Sequence, residues 1–277
     1  MAQKLQNTAD SQEIPIQVFN PYAASRKYSY SYFAPSKGLG DVIDSHWSMH
    51  WDLTNDTPFK LELASSPFIA FTFTQYGNFV TGIHTGVYSY TISGKGTLYG
   101  TLFKPTRFYE LYQRSLSELT NNELPIEPLF PVFDKVFSSS LLSTTNDADA
   151  IRKIEKTISK LDKTSHSKSS KLVDKITDYA INNPDKSMLL IAKKFDISER
   201  TLHQLFHDCV GVSIKWITVR DRLQKAMYIS AKSDNKPNWT TVALELGYGD
   251  QSHFINDFKK IIGMSPSRYY KLLARTK

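Results

Sequence analysis

The sequence predicts an α+β chain of two domains. A β-rich, barrel- or sandwich-like domain with a few helices comes first, and an all-α domain of seven helices with two helix-turn-helix units follows. Three observations predict this. Apolar residues alternate with period two between about Tyr28 and Pro131. The spacing turns helical at residue 147. After Lys171 one pattern, a short helix, a tight turn and a longer amphipathic helix, occurs twice.

The first residues, MAQKLQNTADSQEIPIQ, are polar and mixed in charge. Without the basic head and apolar middle of a signal peptide, they predict a flexible tail over 1–25 and a cytoplasmic chain. The β-rich domain is placed at 26–163. In PFIAFTFTQYG, Ile69, Phe71 and Phe73 fall on one face and Ala70, Thr72 and Thr74 on the other. HWSMHWD puts Trp47, Met49 and Trp51 on one side. VYSYTISGKGTLYGTLFKP reads as two strands joined by a hairpin at Ser93-Gly94-Lys95-Gly96. FYELYQRSLSEL reads as one small helix.

Residues 147–163 carry Ile151, Ile154, Ile158 and Leu161 at helical spacing. This narrow apolar stripe packs on its own domain or forms a dimer contact. The polar run 164–170 is the expected linker. Residues 171–277 then read as helices. Asn183-Pro184 stops the first, Ser198 caps a later one, and Ser265-Pro266 opens the last. The two repeats are IAKKFDISERTLHQLFHDCVG and VALELGYGDQSHFINDFKKIIG.

Charge separates the halves. Residues 166–277 hold 19 Lys+Arg against 11 Asp+Glu, and the rest of the chain is nearly neutral. The basic excess points to a polyanionic partner for the helical half. The single cysteine, Cys209, rules out an intrachain disulfide and a multi-thiolate zinc site. No apolar run reaches membrane-spanning length. No P-loop, dinucleotide fingerprint or nucleophile elbow is present. His46 and His50 stand on a predicted strand rather than on a helical ligand face, so neither a metal nor a cofactor is expected.

On a helical wheel, Leu202, Leu205, Phe206 and Cys209 face inward in the first repeat. Arg200, His203, Gln204 and His207 face outward. In the second repeat Phe254, Phe258, Ile261 and Ile262 face inward. Ser252, His253, Asn256, Lys259 and Lys260 face outward, with Gln251 at the helix start. Amide, hydroxyl, imidazole and guanidinium groups suit base edges in a major groove, and lysines suit phosphates. The base-facing candidates are Arg200, His203, Gln204, Gln251, Ser252, His253 and Asn256. The phosphate candidates are Ser198, His207, Lys259 and Lys260.

These residues carry a resemblance. Ser198, Arg200, Leu202, Phe206 and Gly211 match one half of a pattern. Val242-Ala243, Gly247-Tyr248, Ser252, Phe254, Phe258-Lys259, Gly263 and Pro266 match the other. Together they resemble the DNA-binding domain of AraC/XylS-type regulators. The resemblance implies two reading helices in successive major grooves of double-stranded DNA, about 34–36 Å apart. Two departures stand out: Gln204 and Asn256 occupy positions where the family often carries a basic residue. Amides favour adenine over guanine. The first half is similar to a β-rich domain that precedes such modules. The resemblance to AraC/XylS-type regulators implies contact with RNA polymerase, and this first domain implies a small-molecule effector or a homodimer. Its candidate pocket residues are Trp47, Trp51, Phe71, Phe73, Tyr99 and Arg107.

Three other functions compete. A DNA-repair enzyme fused to such a module needs a reactive cysteine cluster, which one cysteine cannot supply. A protein-binding module predicts binding without salt dependence. A nonspecific architectural binder predicts indifference to base substitution.

Overall fold

The computed structural model describes residues 4–5, 27–161, 165–233 and 235–274. The expected tail over 1–25 lies outside the described residues apart from Lys4–Leu5, a two-residue strand, β1. The other strands are β2 (Tyr28–Phe33), β3 (Ile43–Leu53), β4 (Phe59–Leu63), β5 (Ile69–Thr74), β6 (Gly77–Thr81), β7 (Tyr88–Ile92), β8 (Gly94–Phe103) and β9 (Glu123–Pro125). Seven of them form one antiparallel sheet in the order β1-β2-β3-β8-β5-β6-β9, and β4 pairs with β7 in a second.

The predicted alternation sets the two faces of the large sheet. Ile69, Phe71 and Phe73 enter a core under the helices, while Ala70, Thr72 and Thr74 face a cavity between the sheets. Register explains two glycines. Trp47 pairs with Gly100 and Trp51 with Gly96. A Cβ at Gly100 would stand 2.1 Å from Trp47 Cζ2, and one at Gly96 2.3 Å from Trp51 Cζ2. Each indole thus lies where its cross-strand partner has no side chain.

The expected hairpin over 93–96 is corrected. β7 pairs with β4, whereas β8 pairs with β3 and β5. The chain changes sheets at Ser93, whose carbonyl accepts from Trp51 Nε1 at 3.0 Å and Tyr76 Oη at 3.1 Å. Trp51, Leu61, Ile92 and Leu98 pack the two sheets face to face there. Alternation marks a strand without naming its partner, and inter-sheet packing decided the pairing.

Helices α1 (Pro105–Tyr112), α2 (Lys135–Leu142) and α3 (Asp147–Leu161) cover the other face. The helix expected over FYELYQRSLSEL is in fact two pieces, α1 and a 3-10 turn at Leu116–Leu119, broken where Gln113 takes φ 54°. In α3, Ile151, Ile154 and Ile158 are fully buried in the same core as Phe71. The chain itself consumes the stripe, which corrects the dimer-contact alternative. Two carboxylates tie α3 to the sheet. Glu155 accepts from Ser36 N and Ser36 Oγ, both at 2.6 Å, and lies 3.3 Å from His46 Nε2. Asp147 accepts from Ser48 Oγ at 2.7 Å and Tyr99 Oη at 3.2 Å and pairs with His50 Nε2 at 2.9 Å.

Among the described residues from 168 on there are seven helices: α4 (Lys168–Asn182), α5 (Met188–Lys194), α6 (Glu199–Cys209), α7 (Ile214–Lys232), α8 (Trp239–Glu245), α9 (Gln251–Ile262) and α10 (Pro266–Ala274). Helix α4 begins within the stretch expected as linker, where Ser167 Oγ accepts from Ser170 N at 3.1 Å. The helical half does not have one core of its own. One core runs from Phe33 through the β-rich domain into α4, α5, α6 and the start of α7 at Ile217. A second gathers Leu223 of α7 with α8, α9 and α10, and takes Ala64 from the loop after β4.

Candidate nucleic-acid interface and ligand cavity

Each helix-turn-helix unit is built from a capped helix with one buried face. In the first, Ser198 Oγ accepts from Thr201 N at 3.0 Å and starts α6. Leu202, Phe206 and Cys209 are buried and Leu205 is half-buried. Burial pushes the Cys209 thiol up to about 12, so at neutral pH it is an uncharged packing group. Arg200, His203, Gln204 and His207 are exposed, as the wheel predicts. In the second, Asp250 Oδ1 accepts from His253 N at 2.8 Å and starts α9. Phe254, Phe258, Ile261 and Ile262 are buried. Ser252, His253, Asn256, Lys259 and Lys260 are exposed. Gln251 is half-buried, and its Oε1 accepts from Thr240 Oγ1 at 3.1 Å.

Sequence reasoning missed an acid on each outward face. Gln204 Nε2 donates to Asp208 Oδ2 at 2.8 Å, and His207 Nδ1 lies 3.1 Å from Asp208 Oδ1. Burial raises the Asp208 carboxyl, but hydrogen bonds with Gln204, His207 and Ser115 outweigh that and hold it below the usual range. On α9, His253 Nε2 lies 3.5 Å from Asp257 Oδ2, and its ring meets Tyr248 edge-on at 5.3 Å. These acids orient the imidazoles and Gln204. The signal was present as Asp at i+4 from Gln204 and from His253.

A second missed set lies on α7, the helix that joins the units. Trp216 Nε1 donates to Thr85 O at 3.2 Å, and Arg220 Nε donates to Ser65 O at 3.2 Å. Arg220 is 8% exposed, and burial lowers its guanidinium to about 10, which leaves it charged at neutral pH. Both carbonyls belong to loops of the β-rich domain. Spacing i, i+4 put Trp216 and Arg220 on one face of α7, but nothing in the sequence named their partners.

The cavity between the sheets has a volume of about 160 Å³. Its walls include Tyr28, Tyr30, Tyr32 and Trp47 from the large sheet and Tyr88 and Tyr90 from the small one. Of the six expected pocket residues, the structure places Trp47 in this cavity. Trp51 packs beside it against Leu61 and Ile92. Phe71 and Phe73 lie on the opposite face of β5, in a ring cluster with Phe103, Phe108 and Phe133. Tyr99 is buried beneath α3. Arg107 is buried on α1, where its charge helps to lower the Glu110 carboxyl after hydrogen bonds with Ser167 and Ser170 have offset burial. The six are not brought together, and the reason is volume. The large rings fill the helix-covered core, and the cavity opens where β5 presents Ala70, Thr72 and Thr74.

Among the described residues, no three His, Cys, Asp or Glu side chains gather where a metal ion would be held, and no helix is long and apolar enough to cross a membrane.

Comparison with known proteins agrees with the local geometry. Residues 191–271 match the family described as "Helix-turn-helix domain", and residues 31–125 match "Domain of unknown function (DUF6597)". Over 76 residues the chain is 36% identical to the HTH-type transcriptional activator RhaS of Citrobacter koseri, a match covering 27% of each protein. The chain therefore spans about a quarter of the length of the curated relatives it matches. Among solved structures, the C-terminal domain of AraT, a response regulator from Geobacillus stearothermophilus, is 24% identical with a TM-score of 0.35. That alignment covers 40% of this chain and 89% of AraT's. ToxT from Vibrio cholerae is 12% identical with a TM-score of 0.40, covering 89% of this chain and 99% of its own. The two domain matches and the capped, one-faced helices α6 and α9 together show that this chain joins a DUF6597 domain to a C-terminal helix-turn-helix domain of the AraC/XylS type.

Proposed function

We propose that the chain is a sequence-specific DNA-binding transcription regulator that reads two successive major grooves with α6 and α9. One observation carries the reading. Arg200, His203 and Gln204 on α6, and Ser252, His253 and Asn256 on α9, are exposed, while the opposite faces of both helices are locked in separate cores. Donor-rich faces on anchored helices are what base readout requires. Gln251, tied to Thr240, positions the start of α9 and turns to a base edge on binding. Lys259, Lys260, Ser198 and His207 serve phosphates. The two acids limit nonspecific attraction to the backbone and so favour readout over charge.

The test is fluorescence anisotropy of the whole chain on DNA from upstream of its own gene, at two salt concentrations. The whole chain is used because α4–α6 share a core with the β-rich domain. Arg200→Ala should cost about 1–3 kcal/mol and relax selectivity at one base position. Lys259→Ala should weaken every sequence alike and flatten the salt slope. Equal loss on every site variant for Arg200→Ala would remove its base-reading role.

Control by a small effector is the second part of the proposal. Ser65, whose carbonyl holds Arg220, lines the cavity, and so does His84, which precedes the carbonyl that holds Trp216. A ligand there would meet one anchor of α7, Ser65, directly and the other, Thr85, through its neighbour His84. An activator's contact with RNA polymerase is proposed from the kind of protein RhaS is. A homodimer would need a surface other than the buried stripe of α3.

A further inference from the structure

We infer that the cavity of the β-rich domain binds a small organic cation, an amine carried on an aromatic or apolar body. Only the regulatory meaning of that ligand rests on the effector reading above; its chemistry follows from the cavity wall.

The first observation is the character of the wall. Tyr28, Tyr30, Tyr32, Tyr90 and Trp47 surround the space, and Tyr30 and Tyr32 meet edge to face with centroids 4.7 Å apart. Ring faces carry negative potential and attract ammonium groups, most strongly where water is excluded. The second is charge. The lining includes one carboxylate, Glu123, and neither Lys nor Arg. Glu123 Oε2 accepts from Tyr88 Oη at 2.8 Å and from Thr81 Oγ1 at 3.1 Å, so two cavity hydroxyls hold it in place. Glu123 stands exposed at the rim, so a bound carboxylate is repelled there and an ammonium finds a counter-charge, each to the modest extent that solvent screening leaves.

The third observation is unmet hydrogen bonding. Ser65 Oγ, Ser66 Oγ and His84 Nε2 are buried, have no hydrogen-bond partner among the described residues, and all belong to cavity-lining side chains. Buried polar atoms are almost always paired, by protein or by ordered water, and a turn about the side-chain bonds would bring these three to a ligand in the cavity. An ammonium brings three donors. Serine oxygens accept them, and so does a neutral imidazole. Burial holds the His84 ring below its ordinary pKa, which favours that neutral form. The fourth is size. An engineered apolar cavity of about 150 Å³ admits benzene, so this cavity of about 160 Å³ suits one ring with a short arm.

The test is isothermal titration of the whole chain, without DNA, with three matched probes: 2-phenylethylamine, 2-phenylethanol and 3-phenylpropionate. The amine should bind about tenfold or more tighter than the alcohol, and the carboxylate should be weakest. Glu123→Gln should weaken the amine about two- to fivefold and leave the alcohol unchanged. The alcohol's affinity shows that the variant's cavity is intact. Trp47→Leu should weaken amine and alcohol together while the thermal midpoint reports folding. Carboxylate binding as tight as that of the amine would overturn the inference. So would equal affinities for all three probes, an amine affinity indifferent to Glu123→Gln, or no binding at millimolar concentration. Because DNA is absent, failure here leaves the DNA-binding proposal standing, and failure of that proposal leaves this one standing.

Discussion

The two helix-turn-helix units share one local pattern and sit in different surroundings. In the first, Leu202, Phe206 and Cys209 enter the core that also holds Phe71 and Ile154 of the β-rich domain. In the second, Phe254 and Phe258 pack with Trp239 and Tyr269 in a core of their own, which takes only Ala64 from the β-rich domain among its buried members. The glycines that close the two units, Gly211 and Gly263, both meet the β-rich domain but differ in what they meet. Gly211, at φ 89°, would place a Cβ 2.7 Å from Leu116 O of the β-rich domain. Gly263, at φ 81°, would place one 2.4 Å from Val87 Cγ2, the end of a side chain that can turn aside. The first unit is thus a fixed part of the β-rich body. The second is joined to that body by α7 and by loop contacts at Ser65, Thr85 and Val87. Under the effector control proposed above, a signal in the β-rich domain would act by moving the second unit relative to the first.

Emptying each core breaks the comparison most directly. Phe206→Ala and Phe254→Ala each remove a fully buried ring, at a cost of about 3–5 kcal/mol. Their reach should differ. Phe206→Ala should lower hydrogen-exchange protection in β5 and β8 as well as α6. Phe254→Ala should lower it in α8–α10 and spare the sheet. Equal loss everywhere from both variants would mean one cooperative core and no separate second unit.

The glycines sharpen it. A side chain at positive φ costs about 1 kcal/mol at either site. Gly211→Ala adds a clash with backbone and Gly263→Ala one with a side chain that can rotate, so the thermal midpoint of Gly211→Ala should fall further. Equal midpoints would show that the interface at Leu116 yields. Smaller still is Trp216→Phe, which leaves Thr85 O without its indole donor and should cost about 1 kcal/mol. Its diagnostic effect is faster exchange in α9 with the sheet unchanged. No change in α9 would remove α7 as the link.

What was legible in the sequence follows from what local pattern encodes. The wheel placed Arg200, His203, Asn256 and Lys259 outward because helix faces depend on spacing alone, and the caps at Ser198 and Ser265 follow the same local rules. The faces of β5 were legible for that reason too. Which face held the cavity was not. Phe71 and Phe73 drew attention as large rings, yet a void forms where small residues stand, at Ala70 and Thr72. The pairing of β7 with β4, the partners of Trp216 and the sharing of a core between domains are long-range facts with no local marker.

Acid should separate the two bodies, with the smallest effect of the set. Glu155 is the one carboxylate-bearing residue that is buried among the described residues, and it lies in the first body. Burial raises its carboxyl, but hydrogen bonds from His46 and Ser36 outweigh this and hold it below the usual range. Asp147 behaves alike, burial being outweighed by His50, Ser48 and Tyr99. A depressed folded-state value means the unfolded chain takes up these protons first. The stabilisation is therefore complete above the unfolded values, about 3.9 for Asp and 4.3 for Glu, and is lost as pH falls through the folded ones. Between neutrality and about pH 5 nothing should change. Below about pH 4, protection factors in α3 should drop before those in α9. In Glu155→Gln combined with Asp147→Asn, α3 should be weaker at neutral pH and lose this acid step. If α3 and α9 loosen at one pH, or the double variant keeps the step, these two carboxylates do not set the acid sensitivity, and the contrast between the bodies rests on apolar packing alone.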